Sequence, residues 1–332
     1  MGEFIPHTSW MRDLPDDTPV TALSVPGTHN SGCVGSLFGF AQTQNPALSD
    51  QLDAGIRFLD IRLAQCPSNL SVHHDVVCMD KSYVGILATC SDFLEKHPSE
   101  TILMSVEDEG PLGDEPDRST PSEVLRKLSI KNAENEDGRV SSFEDTLKAR
   151  TWEHVAGSPL FYNFAARRTR GGPMAAVRAL TSETTLGEVR GRIVLLRRSE
   201  GSQDAGLDLT YWPDNQTFRS AAPPVHDVHD RYQGLTEEDK LELIVIHIEE
   251  AKKSDLKDLY ITFSSAAEFT ASDYAKAINP RLSDYLARPP RGRVGIIVMD
   301  YFENPPELVS NVIEMNQTSR LTGGASWSRL MM

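Results

Sequence analysis

Short apolar, β-rich runs recur along the chain, most of them bounded by Gly, Pro, Ser or Asn. They predict strands at Val20–Val25, Arg57–Leu63, Leu70–His74, Thr101–Glu107, Leu160–Asn163, Ile193–Arg197, Leu259–Phe263 and Val294–Asp300. Helical periodicity fills many of the gaps, at Ala47–Ala54, Val84–Lys96, Ser122–Leu128, Phe143–Arg150, Glu237–Lys253, Ala271–Ala277 and Pro305–Asn316. Helix starts carry caps: Ser122-Glu123 follows Pro121, and Thr236 is followed by Glu237, Glu238 and Asp239 in a first turn. Eight strands, several separated by helices, predict the α/β class and a single distorted TIM-like (β/α) barrel. Residues 1–316 are assigned to that barrel and 317–332 to a flexible tail. The segments GPLGDEPDRSTP (110–121) and NAENEDGRVSS (132–142) read as polar loops within it, not interdomain linkers.

In barrels of this kind the reactive groups sit at the C-terminal ends of strands. Polar residues interrupt the apolar runs in those places. His29-Asn30 follow the first strand, leaving it through Pro26 and Gly27 in SVPGTHNSG (24–32). Asp60 and Arg62 close IRFLDIRL, His73-His74-Asp75 close LSVHHD, and Glu107 closes TILMSVE. Arg197-Arg198 follow IVLL, and Asp300-Tyr301 follow VGIIVM. Six polar endings on one rim predict a site. His73 and His74 alternate on their strand, so one faces the mouth and the other is structural.

Composition excludes some functions. The 332 residues, 39% hydrophobic and 24% charged, are those of an ordinary globular protein. A net charge of −15 argues against general nucleic-acid binding and against anchoring to anionic lipid by a polybasic patch. No apolar run is long enough to span a membrane, and the start lacks the basic-then-apolar pattern of a signal peptide. Cys33, Cys66, Cys78 and Cys90 match no common zinc spacing, and disulfides or buried thiols both remain open for them.

The ordered set VPGTHNSG, GIRFLDIR, VHHD, PSETILMSVE, IVLLRR, YWPDNQTF, HDRY and INPRLSDY…RVGIIVMDY resembles phosphatidylinositol-specific phospholipase C of the bacterial type, from about residue 8 to 315. That resemblance implies a distorted (β/α) barrel that cleaves phosphatidylinositol to diacylglycerol and a 1,2-cyclic inositol phosphate. His29 is implied as general base and His74 as general acid, a pairing suited to side chains that titrate near neutrality. Asp300 is implied to orient His29, Arg62 to stabilise charge on the phosphoryl oxygens, and Asp60 to hold Arg62. Arg198, Asp230 and Tyr232 are implied in headgroup binding, with Asn30 and Glu107 beside them; Trp212 is either part of the site or core.

Asn30 and Glu107 depart from the metal-independent pattern and resemble the calcium-dependent branch. Arg62, however, stands where that branch carries a second carboxylate. Asn30, Asp60 and Glu107 alone offer too few oxygens for a typical calcium site. The expectation is therefore no cofactor and no metal, with Arg62 in the ion's place; a calcium-dependent version using Asn30, Asp60 and Glu107 is the alternative. Glu107 further predicts a preference for unphosphorylated phosphatidylinositol. Leu37, Phe38 and Phe40, just after the first His motif, are either interfacial membrane contacts or a cap on the core. The partner is phosphatidylinositol in membranes, met peripherally by a monomer that the resemblance makes a secreted enzyme. A glycerophosphodiester phosphodiesterase is disfavoured by the absent His-Arg-Gly motif, and a non-catalytic phosphoinositide-binding module by the presence of both histidines.

Overall fold

The computed structural model describes residues 6–35, 42–66, 69–74, 77–109, 143–155, 160–162, 180–201, 206–221, 224–266 and 270–318. Its strands are β1 (Val25–Thr28), β2 (Phe58–Cys66), β3 (Asn69–His74), β4 (Val77–Ser82), β5 (Ile102–Asp108), β6 (Ile193–Arg198), β7 (Leu207–Asp208), β8 (Thr217–Arg219), β9 (His226–His229), β10 (Leu259–Phe263) and β11 (Ile296–Met299). They form one sheet in the order β7-β6-β5-β2-β1-β11-β10-β9-β8, with β3 and β4 attached to β2 as an antiparallel arm. Every pairing from β7 through to β9 is parallel, and β8 alone returns antiparallel against β9. Among the described residues β7 and β8 remain the two edges, so the α/β barrel is a distorted one.

The helices are α1 (Leu48–Asp53), α2 (Tyr83–Lys96), α3 (Phe143–Val155), α4 (Leu186–Val189), α5 (Glu237–Lys253), α6 (Ala271–Leu286) and α7 (Glu307–Glu314). Alternation along the strands splits the apolar residues into two cores. Val25, Phe58, Leu103, Val194, Leu196, Val228, Ile261, Phe263, Ile296 and Val298 fill the barrel interior. Leu59, Ile61, Met104, Val106, Leu195, Ile297 and Met299 face outward and pack on helix residues such as Leu87, Ile244, Ile278 and Val312.

Several expectations are corrected. The first strand begins at Val25, because Val20–Ala22 winds into a 3-10 turn after the extended Pro19. Leu70–His74 belongs to the arm, since it pairs antiparallel with the far end of β2. Of Leu160–Asn163, Phe161 makes an isolated bridge to Ile193, and Asn163 lies outside the described residues. β9 is a barrel strand the apolar pattern did not reveal. α6 runs through Pro280 to Leu286 instead of ending at Ala277, because Tyr274, Ile278, Leu282 and Leu286 extend its buried stripe past the lost N–H. The expected helix Ser122–Leu128, the loop segments at 110–121 and 132–142, Leu37, Phe38 and Phe40, and residues 319–332 of the tail lie outside the described residues; 317–318 end a 3-10 turn after α7.

Candidate active site

The parity that fills the barrel also selects the site. Counting by twos from the interior residues, Val25 leads to His29, Phe58 to Asp60 and Arg62, and Leu103 to Glu107. The same count takes Val194 to Arg198, Val228 to Asp230, and Ile296 to Asp300. Each strand therefore begins by filling the core and ends by presenting a polar group to the mouth.

The turns after β1 and β11 are left-handed at Asn30 (φ 44°) and Tyr301 (φ 43°), a conformation that asparagine tolerates better than most residues. Gly27 allows β1 to lie close to β2; a Cβ there would meet the Phe58 Cβ at 2.8 Å. β1 and β11 are register neighbours, Thr28 beside Met299, so His29 and Asp300 emerge side by side. His29 Nδ1 lies 2.8 Å from Asp300 Oδ1, and Arg62 Nη2 lies 3.3 Å from His29 Nε2. A guanidinium can only donate, so Nε2 accepts from Arg62 and Nδ1 carries the proton given to Asp300. Gln44 fixes the turn by donating to the carbonyls of His29 and Met299, and Asn279 of α6 donates to that of Asp300.

Across β2, β5 and β6 the register aligns Arg62 with Glu107 and Glu107 with Arg198. The resulting row alternates in charge. Arg62 Nε is 3.2 Å from Glu107 and 3.5 Å from Asp60, and its Nη1 is 3.5 Å from Glu109. Arg198 Nη1 is 3.0 Å from Glu107 and 3.6 Å from Asp60. Burial alone would raise the Asp60 carboxyl; Arg62, Arg198, His29 and the Asn30 N–H outweigh it and hold it below the usual range. Burial likewise works against the Arg62 charge, and Glu107, Asp60, Glu109 and Asp230 overcome it. Both carboxylates proposed as calcium ligands are thus engaged by guanidinium groups. Asn30 is buried, and its side-chain amide has no hydrogen-bond partner among the described residues. Among the described residues no group of three or more His, Cys, Asp and Glu is arranged to hold a metal ion.

On the far side of Arg198, Trp212 lies 3.9 Å beneath the guanidinium and donates Nε1–H to Asp230 Oδ2 at 2.8 Å. Burial pushes the Asp230 carboxyl up, against the pull of Arg198 and of that hydrogen bond. Tyr232 donates its hydroxyl to Asp214 at 2.6 Å, and burial together with that carboxylate pushes it up to about 12. Trp212 therefore belongs to the site, and Glu109 joins it as a carboxylate that sequence reasoning missed. The VEDE ending after TILMS carried the signal for Glu109, with parity pointing two residues beyond Glu107.

Other polar residues fall elsewhere. Arg57 is buried on Glu100 at 3.0 Å and under Phe93, a packing role. Arg197 points out of the barrel toward Thr210 and Asp208. His73 is buried on the arm. His74 follows it there, and its side chain lies outside the described residues. Cys33 and Cys90 are buried free thiols, both pushed up to about 12 by burial; the Cys66 and Cys78 side chains are not among those described.

Residues 17–139 match the family model "Phosphatidylinositol-specific phospholipase C, X domain". A 1-phosphatidylinositol phosphodiesterase of Listeria monocytogenes is 29% identical over 319 residues, covering 93% of this chain and 84% of its own. A 1-phosphatidylinositol phosphodiesterase of Staphylococcus aureus is 26% identical over 334 residues, covering 93% and 94%. The solved phosphatidylinositol-specific phospholipase C of Listeria monocytogenes superposes with a TM-score of 0.63 at 27% identity, over 94% of this chain and 99% of that one. Sequence motifs, barrel and similarity agree, and over nearly its whole length the chain is similar to bacterial phosphatidylinositol-specific phospholipases C.

Proposed function

We propose that this protein cleaves phosphatidylinositol to diacylglycerol and 1,2-cyclic inositol phosphate, without a metal, at a membrane surface it meets peripherally as a secreted monomer. The observation that carries the reading is the His29–Asp300 pair at 2.8 Å with Arg62 at His29 Nε2. A neutral imidazole held in one tautomer by a carboxylate, beside a fixed cation, is what proton abstraction next to a phosphate requires.

In this reading the inositol 2-hydroxyl takes the guanidinium's place at His29 Nε2 and gives up its proton there as its oxygen attacks phosphorus. The bond from phosphorus to the diacylglycerol oxygen breaks, and His74 supplies the proton that oxygen needs. Negative charge grows on the non-bridging oxygens, and Arg62 is placed to meet it. The unpartnered Asn30 amide is a further donor beside His29. Asp60 and Glu107 keep Arg62 aimed at the phosphate by holding its Nε edge, leaving the Nη2 edge toward His29.

Headgroup recognition rests on Arg198, Asp230 and Tyr232. They offer donors, acceptors and an aromatic face to a ring whose edge is hydroxylated and whose faces are apolar C–H. Phosphorus NMR of phosphatidylinositol in mixed micelles tests the whole. A cyclic phosphate formed under excess chelator supports it, turnover only with added calcium overturns the metal-free part, and no turnover in either condition overturns the catalytic reading.

A further inference from the structure

α5 carries an apolar stripe, and Lys240, Ile244, His247, Ile248 and Ala251 all lie buried along it. A lysine at such a position is costly, since an ammonium is rarely buried without partners. Lys240 is fully buried. Its Nζ donates to the Arg231 carbonyl at 2.6 Å and lies 3.4 Å from His229 Nε2. The His229 ring is fixed in turn by Thr217 Oγ1 at 2.8 Å from Nδ1.

Arg231 stands between Asp230 and Tyr232, the two headgroup residues after β9. From the opposite side, the Asp230 N–H donates to the Gln216 carbonyl, and the Tyr232 and Gln233 N–H groups donate to Asn215 Oδ1. The segment is therefore gripped by the 215–216 turn through its N–H groups and by α5 through one carbonyl. Lys240 is the helix side of that grip.

We propose that Lys240 is a positioning residue for inositol recognition, holding the Arg231 carbonyl and with it the Asp230–Tyr232 segment in the place a headgroup meets. The proposal rests on the phosphatidylinositol-cleaving reading of the site. Lys240 touches no reacting atom and acts through the backbone between two binding residues. Burial lowers its amine to about 7, against the pull of Asp230 and Asp300. An aliphatic side chain of equal length would pack the stripe at least as well, so packing does not account for a lysine here.

The test is Lys240→Met, which keeps the volume and removes the donor, with Lys240→Arg as the variant that keeps one. On phosphatidylinositol in mixed micelles, K240M is expected to raise KM about tenfold while kcat stays within about threefold, the signature of lost ground-state positioning, and K240R to recover part of the loss. In a D230N background the same change is expected to add less than about threefold, because both act on one segment. Amide exchange gives a readout independent of turnover: residues 230–233 exchange faster in K240M while β9 and α5 keep their protection. Unchanged KM and unchanged exchange would overturn the proposal, as would faster exchange spread through α5 and β9 with a collapse of Tm. Wild-type protein inactive on phosphatidylinositol removes the proposed function instead, and the exchange result then decides the role of Lys240 alone.

Discussion

Arg62 and Glu107 are register partners on adjacent parallel strands, and their side chains meet at 3.2 Å because both lie on the interior parity of the barrel. Glu107 has a second partner in Arg198, so one carboxylate is shared between two guanidinium groups. The position of the cation proposed to meet the phosphate is thereby a product of sheet register, not of loop conformation.

Arg62→Lys tests the fork. A lysine supplies the charge but cannot reach Asp60, Glu107 and Glu109 from one planar group. A fall in kcat of about 10²–10³ with the fold intact is expected, measured by phosphorus NMR and circular dichroism.

Asp300→Asn tests the orienting carboxylate. The amide leaves the His29 ring in place but no longer enforces the tautomer with Nε2 free. A kcat lower by about 10²–10⁴, with KM little changed, is the expected result. The low-field proton signal of His29 Nδ1 should vanish with it.

Asp60→Asn tests acid stability. Asp60 titrates near 3.9 when unfolded and lower when folded. Its contribution is complete above the unfolded value and is lost as pH falls through the folded one. Breaking this buried pairing should cost about 3–5 kcal/mol at pH 7, and the Tm difference from wild type should begin to narrow only below about pH 4, closing below the folded value.

Trp212→Phe removes the hydrogen bond to Asp230 and reduces the face beneath Arg198. KM for phosphatidylinositol is expected to rise about tenfold, with thermal stability nearly unchanged.

Glu107→Gln addresses substrate choice. Wild-type protein should prefer phosphatidylinositol to its bisphosphate, since a carboxylate near the ring repels added phosphates. The glutamine variant should narrow that preference about tenfold, being smaller in charge and equal in shape. Faster cleavage of the bisphosphate by wild type would contradict this placement of Glu107.

Much of the site was legible because period-two alternation links core to mouth. A strand such as FLDIR announces which of its polar residues share a face with Phe58, and Asp60 and Arg62 do. The same logic separates Arg198 from Arg197, though IVLLRR alone does not say which parity points inward. β9 escaped because HDVH contains one apolar residue in four: His226 shares the face of Val228 and bonds Ser220, while His229 turns outward to Thr217 and to Lys240 of α5. Trp212 stayed open between site and core because it lies between β7 and β8, where no periodicity assigns a face. Register was beyond reach as well, and without it the contact of Glu107 with two arginines cannot be read from spacing.

The His29–Asp300 contact joins positions 271 residues apart, and β11 inserts between β1 and β10. A chain still being synthesised owns its base long before it owns the carboxylate that orients it. Among the described strands the last to emerge is the one that completes the proposed catalytic pair, and it does so by entering the middle of the sheet, not by adding to an edge. Partly made or C-terminally shortened copies lacking that strand should therefore be inert toward the membranes of the cell that makes them, and recovered activity on refolding should serve as a clock for insertion of β11.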